Sequence, residues 1–547
     1  VSWPADFRQR LYGGGTVSVE IIFEVVLPET GDGVGIPWWA ASDPALAADG
    51  YVAIQASRGA GLQAPSIGPC SVQPQSWTYQ EGAWAVSIHL PESVVVTGGP
   101  RSPGRALSTT WGRAAEALRR GVLCRLLIGV RGWARADYQP LRAGRIQAVR
   151  CSHPQSVRVE VWDLATALRS RMTPTYSGSL TEQAQDLFYG SCGSTTTASA
   201  YVAGSSTSLN VTSLSAFNRE TTGVALLTGN SGTQFYVTYT GTSTGPNRLT
   251  GVSTIGYFET VAENAASGNA IQAVPYLSGH PVSITRKLLT STGAGTNGGF
   301  DTYPEAWGLG IDTDWLDSPD LAILQQSVIR ATGVAYGWTV LPEAAQPDPW
   351  AWWSSYLSAA GIWICTRQGQ VVMRCARDPN TATELLAEAL TDADLVHGEA
   401  PEVSWYAEET PEAYCRYKAA GIATTSGGSN SSVTTLPARG EWISDLGDVL
   451  AGQADEEGIR DEVAARCAPW VHLTPETISL TVTGLRGYAP GDVLPLTLSG
   501  VRGRLSGTRQ GYSERPALVL SEAPDLARNR TRLTLAVLPT GLEEDGA

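Results

Sequence analysis

Catalysis and metal binding need particular residue types at particular spacings, and this chain offers few of them. The five histidines, His89, His153, His280, His397 and His472, are isolated, with no HxH or HExxH pair. Asp312-Thr-Asp-Trp-Leu-Asp317 opens like a calcium loop. Leu316 then stands fifth, Asp317 replaces the turn glycine, and Ile323 replaces the closing glutamate. Asp317 reads instead as the cap of a helix. Gly13-Gly-Gly-Thr16 has no lysine to make a phosphate cradle, and GxSxG does not occur. The densest carboxylates, Glu408-Glu409 and Asp455-Glu-Glu457, read as solvated surface, since nothing sets two of them across a cleft. The expectation is a non-enzyme with no catalytic, cofactor-binding or metal-binding residues and no cofactor.

Aromatic residues are the anomaly, with 18 tryptophans. Trp38-Trp39 and Pro349-Trp-Ala-Trp-Trp353 admit two readings: a platform for sugar rings, or indoles that fill space between sheets and anchor interfaces. If the second stretch is extended, Trp350 and Trp352 share one face and Trp353 takes the other. Packing or an interface is the expectation for all three. Eight cysteines include no CxxC; Cys365 and Cys375, on consecutive strand-like runs, either face each other or stay as buried thiols. Synthesis in a reducing cytoplasm is the default.

Elements must position whatever these residues do. The 547 residues suggest three or four domains, and 42% hydrophobic content can supply several cores. Strands are expected at Thr16–Val26, Tyr51–Ile54, Ala83–Leu90, Leu123–Val130, Leu141–Arg150 and Val157–Trp162, with one helix at Ser108–Arg120. In the last strand Val157, Val159 and Val161 share a face, leaving Arg158 and Glu160 to water. A Ser/Thr/Gly-rich unit follows, with strands at Ser208–Thr212, Gly223–Thr228, Gln234–Thr240 and Asn247–Val252. Then come a capped helix from Asp317 to Arg330, a hairpin of Gly361–Cys365 and Val371–Cys375 turning at Gln368-Gly-Gln370, and a short helix at Thr381–Leu390. The final stretch gives strand-like Ala400–Ala419, a loop at Thr424–Thr435, a helix at Asp455–Cys467, and strands at Thr477–Thr483, Asp492–Leu498, Ala517–Leu520 and Thr531–Leu538. The fold class is therefore mainly β with an α+β portion. Its divisions are 1–172 (barrel), 173–300 (small inserted β-barrel with linkers), 301–400 (α+β) and 401–547 (second barrel).

Charge is uneven. Arg101 to Arg171 holds 14 arginines and 4 acids, whereas Asp392 to Glu462 holds 15 acids and 4 bases. Such blocks either meet across subunits or neighbours, or form two solvated surfaces. The net charge of −14 argues against wrapping duplex DNA. No apolar run is long enough to span a membrane, and Val1-Ser-Trp-Pro-Ala-Asp-Phe-Arg8 has no secretory pattern.

Three segments carry a resemblance. Thr207–Phe217 through Gly223–Leu226, Val237–Ser243 and Leu249–Val252 resemble a small β-module of bacteriophage tail and fibre proteins. Pro490-Gly-Asp-Val-Leu-Pro-Leu-Thr497 is similar to a "PGD-V-x-x-L" strand near the end of phage baseplate hub, or tail-tip, proteins. Leu141–Ile146 followed by Val157–Leu168 resembles their first barrel, with Val159, Val161, Asp163 and Leu168 fitting "V-x-V-x-D-x-x-x-x-L". The resemblance implies a structural tail-tip hub with two hub-type barrels in each subunit. A homotrimer would form a pseudo-sixfold collar that closes the tail-tube end. It implies contacts with the distal tail protein, the tape-measure protein and the fibre or spike, a channel for transient DNA passage, and a place in the virion without stable membrane insertion. An acidic wall would repel passing DNA. The alternative is a carbohydrate- or receptor-binding tail protein using the Trp clusters and the inserted module.

Overall fold

The computed structural model describes residues 3–12, 19–26, 37–42, 62–74, 76–80, 82–89, 118, 120–153, 156–164, 194–215, 217, 223–254, 262–274, 277–290, 311, 313–325, 338–340, 349–382, 389–405, 412–419, 422–424, 441–445, 466–467, 470, 475–503 and 511–539. The expected strand Tyr51–Ile54 and most of the expected helices Ser108–Arg120 and Asp455–Cys467 lie outside these residues. So does the expected loop from Thr424 onward, apart from Thr424 itself, which closes a strand.

The fold is mainly β. A first, wholly antiparallel sheet runs in the order Pro37–Ala41, Val19–Val26, Leu123–Val130, Gln139–His153, Ser156–Asp163, Trp84–His89, Leu62–Ile67. It curls so that Leu62–Ile67 approaches Val19–Val26, giving a half-barrel. The alternation read in Ser156–Asp163 holds: Val157, Val159 and Val161 are buried while Arg158 is exposed. A helix, Ala5–Tyr12, closes the concave side. Trp3, Phe7 and Leu11 stand four apart, one helical stripe, and all three pack into the same core as Phe23, Leu126 and Val159.

The second sheet runs Leu390–Thr391, Val493–Leu498, Tyr512–Asp525, Arg530–Val537, Glu476–Thr483, Glu402–Trp405. Only the Leu390–Thr391 pairing is parallel. Ile478, Leu480 and Val482 alternate inward with polar neighbours outward, and meet Leu494, Leu496, Leu533 and Leu535 in a second core. A hairpin from far upstream, Cys70–Gln73 with Thr78–Gln80, attaches to Tyr512–Asp525.

The inserted unit forms a five-stranded and a three-stranded sheet around its own core of Tyr201, Leu209, Phe235, Val237, Leu249 and Ile271 among others. Its four expected strands are present, and Gly223–Thr228 matches end to end.

Between the two large sheets lies the hairpin Ile362–Arg367 with Gln370–Cys375, every residue of whose first strand is buried. Gln368 (φ 49°) and Gly369 (φ 73°) are both left-handed, the turn that a two-residue hairpin loop requires. Helices Pro281–Thr290, Ser318–Ile323 and Pro349–Ala359 surround it. Asp317 is the N-cap of the second of these, accepting from the Asp320 amide. The third decides the condition set on the tryptophans: Trp350–Trp353 is helical, so the face assignment for an extended stretch does not apply. Pro349 occupies the first turn, where a missing N–H costs nothing, and Trp353, Leu357 and Ala360 recur at helical spacing as a buried stripe. The expected helix at Thr381–Leu390 is also not found at its ends. Pro379–Thr381 is one 3₁₀ turn capped by Asp378, and Leu390–Thr391 is a strand; residues 383–388 are not described.

Candidate functional site

A linked set of buried charges lies in one seam, where the central hairpin meets both large sheets. Thr366 lies with its hydroxyl 2.8 Å from both oxygens of Asp163, the last residue of the first sheet's strand Ser156–Asp163. On the opposite strand of the hairpin, Arg374 donates to Asp492 Oδ1 from Nε (3.0 Å) and Nη2 (2.8 Å), and from Nη1 to Asp320. Arg367 sits 3.5 Å from Asp320 and 3.9 Å from Asp492. Asp492 also accepts from the Ala489 amide at 2.9 Å, so its turn is held from inside and out. Directly between the sheets, Arg142 Nη2 donates to Glu522 Oε2 at 2.9 Å, with the two side chains 1% and 0% exposed.

Burial sets the electrostatics. It would raise the Asp492 carboxyl, but Arg367 and Arg374 outweigh it and hold the group below the usual carboxylate range. At Glu522 burial dominates, and the pull of Arg142 leaves its carboxyl raised. Burial also raises the thiols of Cys70 and Cys365, which stay unreactive. The five cysteines whose side chains are described are free, so Cys365 and Cys375 are buried thiols; Cys365 stands opposite Val372, and Cys375 opposite Ile362.

Indoles fill the space around the charges. Trp77 and Trp363 stack with centroids 5.5 Å apart and planes 6° from parallel, and Trp470 meets Trp77 edge-on. Trp363 donates to the Pro490 carbonyl (3.1 Å), Trp470 to the Arg377 carbonyl (3.0 Å) and Trp353 to the Thr285 hydroxyl (2.9 Å). Trp353 is fully buried, in keeping with the packing reading. The side chains of Trp38, Trp39, Trp350 and Trp352 lie outside the described residues.

Among the described residues no three His, Cys, Asp or Glu side chains converge as a metal site, and no helix is long and apolar enough to cross a membrane. His280 accepts from the Val282 amide, capping its helix. The sequence reading passed over Arg142, Arg367, Arg374, Asp320 and Glu522. One signal was present: Arg374 is the lone charge in Gln370–Cys375, a strand otherwise apolar from Val371 to Cys375.

No family model and no curated protein matches the chain. Among solved structures it is similar to prophage tail protein gp18 from Listeria monocytogenes EGD-e, at 6% identity over 94% of each chain with a TM-score of 0.34. It is also similar to a chain of the virion of a native gene transfer agent particle. That match has 12% identity over 49% of this chain and 83% of that one, with a TM-score of 0.17. Scores this low fix neither fold nor function.

Proposed function

We propose that this chain is a structural protein of a phage-type tail, acting as the tip hub. Three copies form a collar that closes the tail-tube end. The collar joins the distal tail protein to the fibre or spike, meets the tape-measure protein, and leaves a channel for DNA. One observation carries the reading. The two aspartates of the hub-like motifs, Asp163 and Asp492, are both buried and both dock on the central hairpin, on Thr366 of one strand and Arg374 of the other. Residues that resemble the closing strands of two hub barrels thus serve one purpose, fixing two sheets to a common core. A frame of this kind suits a ring wall that must keep its shape while its outer edges bond to neighbours. The carbohydrate-binding alternative gains nothing from Trp353, which is buried.

The test is mass measurement and electron microscopy of the purified chain and of intact tails. A trimeric ring with a central channel is expected. A monomer with its two sheets far apart, or glycan-array binding without assembly, would overturn the proposal.

A further inference from the structure

Residues 62–74, 76–80 and 82–89 form a bent ribbon that belongs to both large sheets. Its base, Leu62–Ile67 against Trp84–His89, lies in the first sheet, with Ile67 opposite Trp84. Its tip, Cys70–Gln73 against Thr78–Gln80, leaves that sheet and joins the second, with Ser71 opposite Ser521 and Cys70 opposite Glu522. Among the described residues no other stretch of this kind supplies strands to both sheets.

The change of sheet takes place at a glycine neck. The Gly68 amide donates to the Ala83 carbonyl at 2.9 Å, and a Cβ on Gly82 would stand 2.1 Å from the Gly68 oxygen. Only glycine allows two backbones to run so close. The tip is anchored at its far end by Trp77. That residue is fully buried, has a left-handed backbone (φ 51°) rare for a bulky residue, and stacks on Trp363 with Trp470 edge-on. Cys70, Val72 and Tyr79 fill the rest of the contact within the central core.

We propose that this ribbon is the mechanical coupling of the molecule: the glycine neck sets the turn, Trp77 sets the anchorage, and together they make the two sheets open as one unit. The inference concerns the frame alone and stands whether or not the hub reading does. The ion pairs of the seam hang from side chains, whereas the ribbon ties the sheets through backbone pairing at both ends, Trp84–His89 to Ser156–Asp163 and Cys70–Gln73 to Tyr512–Asp525.

Native-state hydrogen exchange under rising denaturant tests this on the full chain. Peptides from 123–163 and from 475–537 report the two sheets. They are expected to lose protection together in the native protein and in Val482→Ala, a cavity inside the second core that leaves the ribbon untouched. In Trp77→Ala and Gly82→Val they are expected to separate into two openings. Peptide sets that stay in step in both ribbon variants, merely opening earlier as in Val482→Ala, would overturn the proposal. Should neither variant accumulate as folded protein, Trp77→Phe decides by the same comparison.

Discussion

Arg142 and Glu522 stand 380 positions apart in the chain, yet their side chains form a 2.9 Å ion pair that water does not reach. The pair bridges the two large sheets, and its pH behaviour is asymmetric. Burial raises the Glu522 carboxyl beyond what Arg142 restores. A carboxyl raised in the folded state stabilises the fold fully below its ordinary value of 4.5, and that contribution is lost as pH climbs through the raised value. Urea unfolding between about pH 4 and pH 8 should therefore show the native chain losing ground to Glu522→Gln as pH rises. A constant difference across the range would show that Glu522 titrates as in water.

Asp492 carries the opposite sign. Held low by Arg367 and Arg374, it stabilises the fold above its ordinary value of 3.8, and the contribution disappears as pH falls through the lowered one. Asp492→Asn removes that acid-side dependence. It also leaves Asp320 as the one carboxylate hydrogen-bonded to the Arg374 guanidinium, at an expected cost of about 3–5 kcal/mol in chemical denaturation. A loss below about 1 kcal/mol would mean that the charge pair is not what holds the turn.

The alternation in Ser156–Asp163 gives a paired test. Val159→Asp places a carboxylate in the first core, where no partner is available to an apolar site, and soluble folded protein should be lost. Arg158→Asp, one residue away on the exposed face, loses an ion pair with Glu160 and sets a second carboxylate near it, where water screens both. It should change stability by less than about 1 kcal/mol. Circular dichroism melts of the two variants read this directly.

The inserted unit keeps its own core, built from residues between Tyr201 and Ile271. Replacing 194–274 by a short Gly-Ser link should leave a soluble remainder whose melting temperature moves little, as scanning calorimetry would record. Aggregation of the shortened chain would show that the unit supports the frame.

Much of the fold was legible because strand signals are local. Leu123–Val130 and Gly223–Thr228 agree with their sequence readings end to end, since short apolar runs between turn residues leave little choice. Asp317 was legible as a cap because proline and helix spacing follow it at once. For Trp350–Trp353 the sequence left the backbone open, because alternating indole and alanine also suits a strand; the partners that favour a helix, Leu357 and Ala360, lie further on. The pairing within the seam was not legible, although Asp163 and Asp492 stood out in the motifs they belong to. Arg374 finds Asp492 across 118 positions, and Thr366 finds Asp163 across 203. Arg374 taken alone reads as an oddity in an apolar strand, and Asp163 and Asp492 as strand-end residues; only the tertiary pairing turns them into a joint.

The small inserted unit begins and finishes on neighbouring strands, with Ser194 opposite Gln272 and Thr196 opposite Ala270. Its two ends therefore lie about 5 Å apart, the spacing of paired strands. To the rest of the chain it presents the geometry of a tight loop, whatever is folded beyond it. In genetic terms it is a cassette: recombination could exchange it for any domain whose termini meet, changing what the protein displays without altering the frame that displays it.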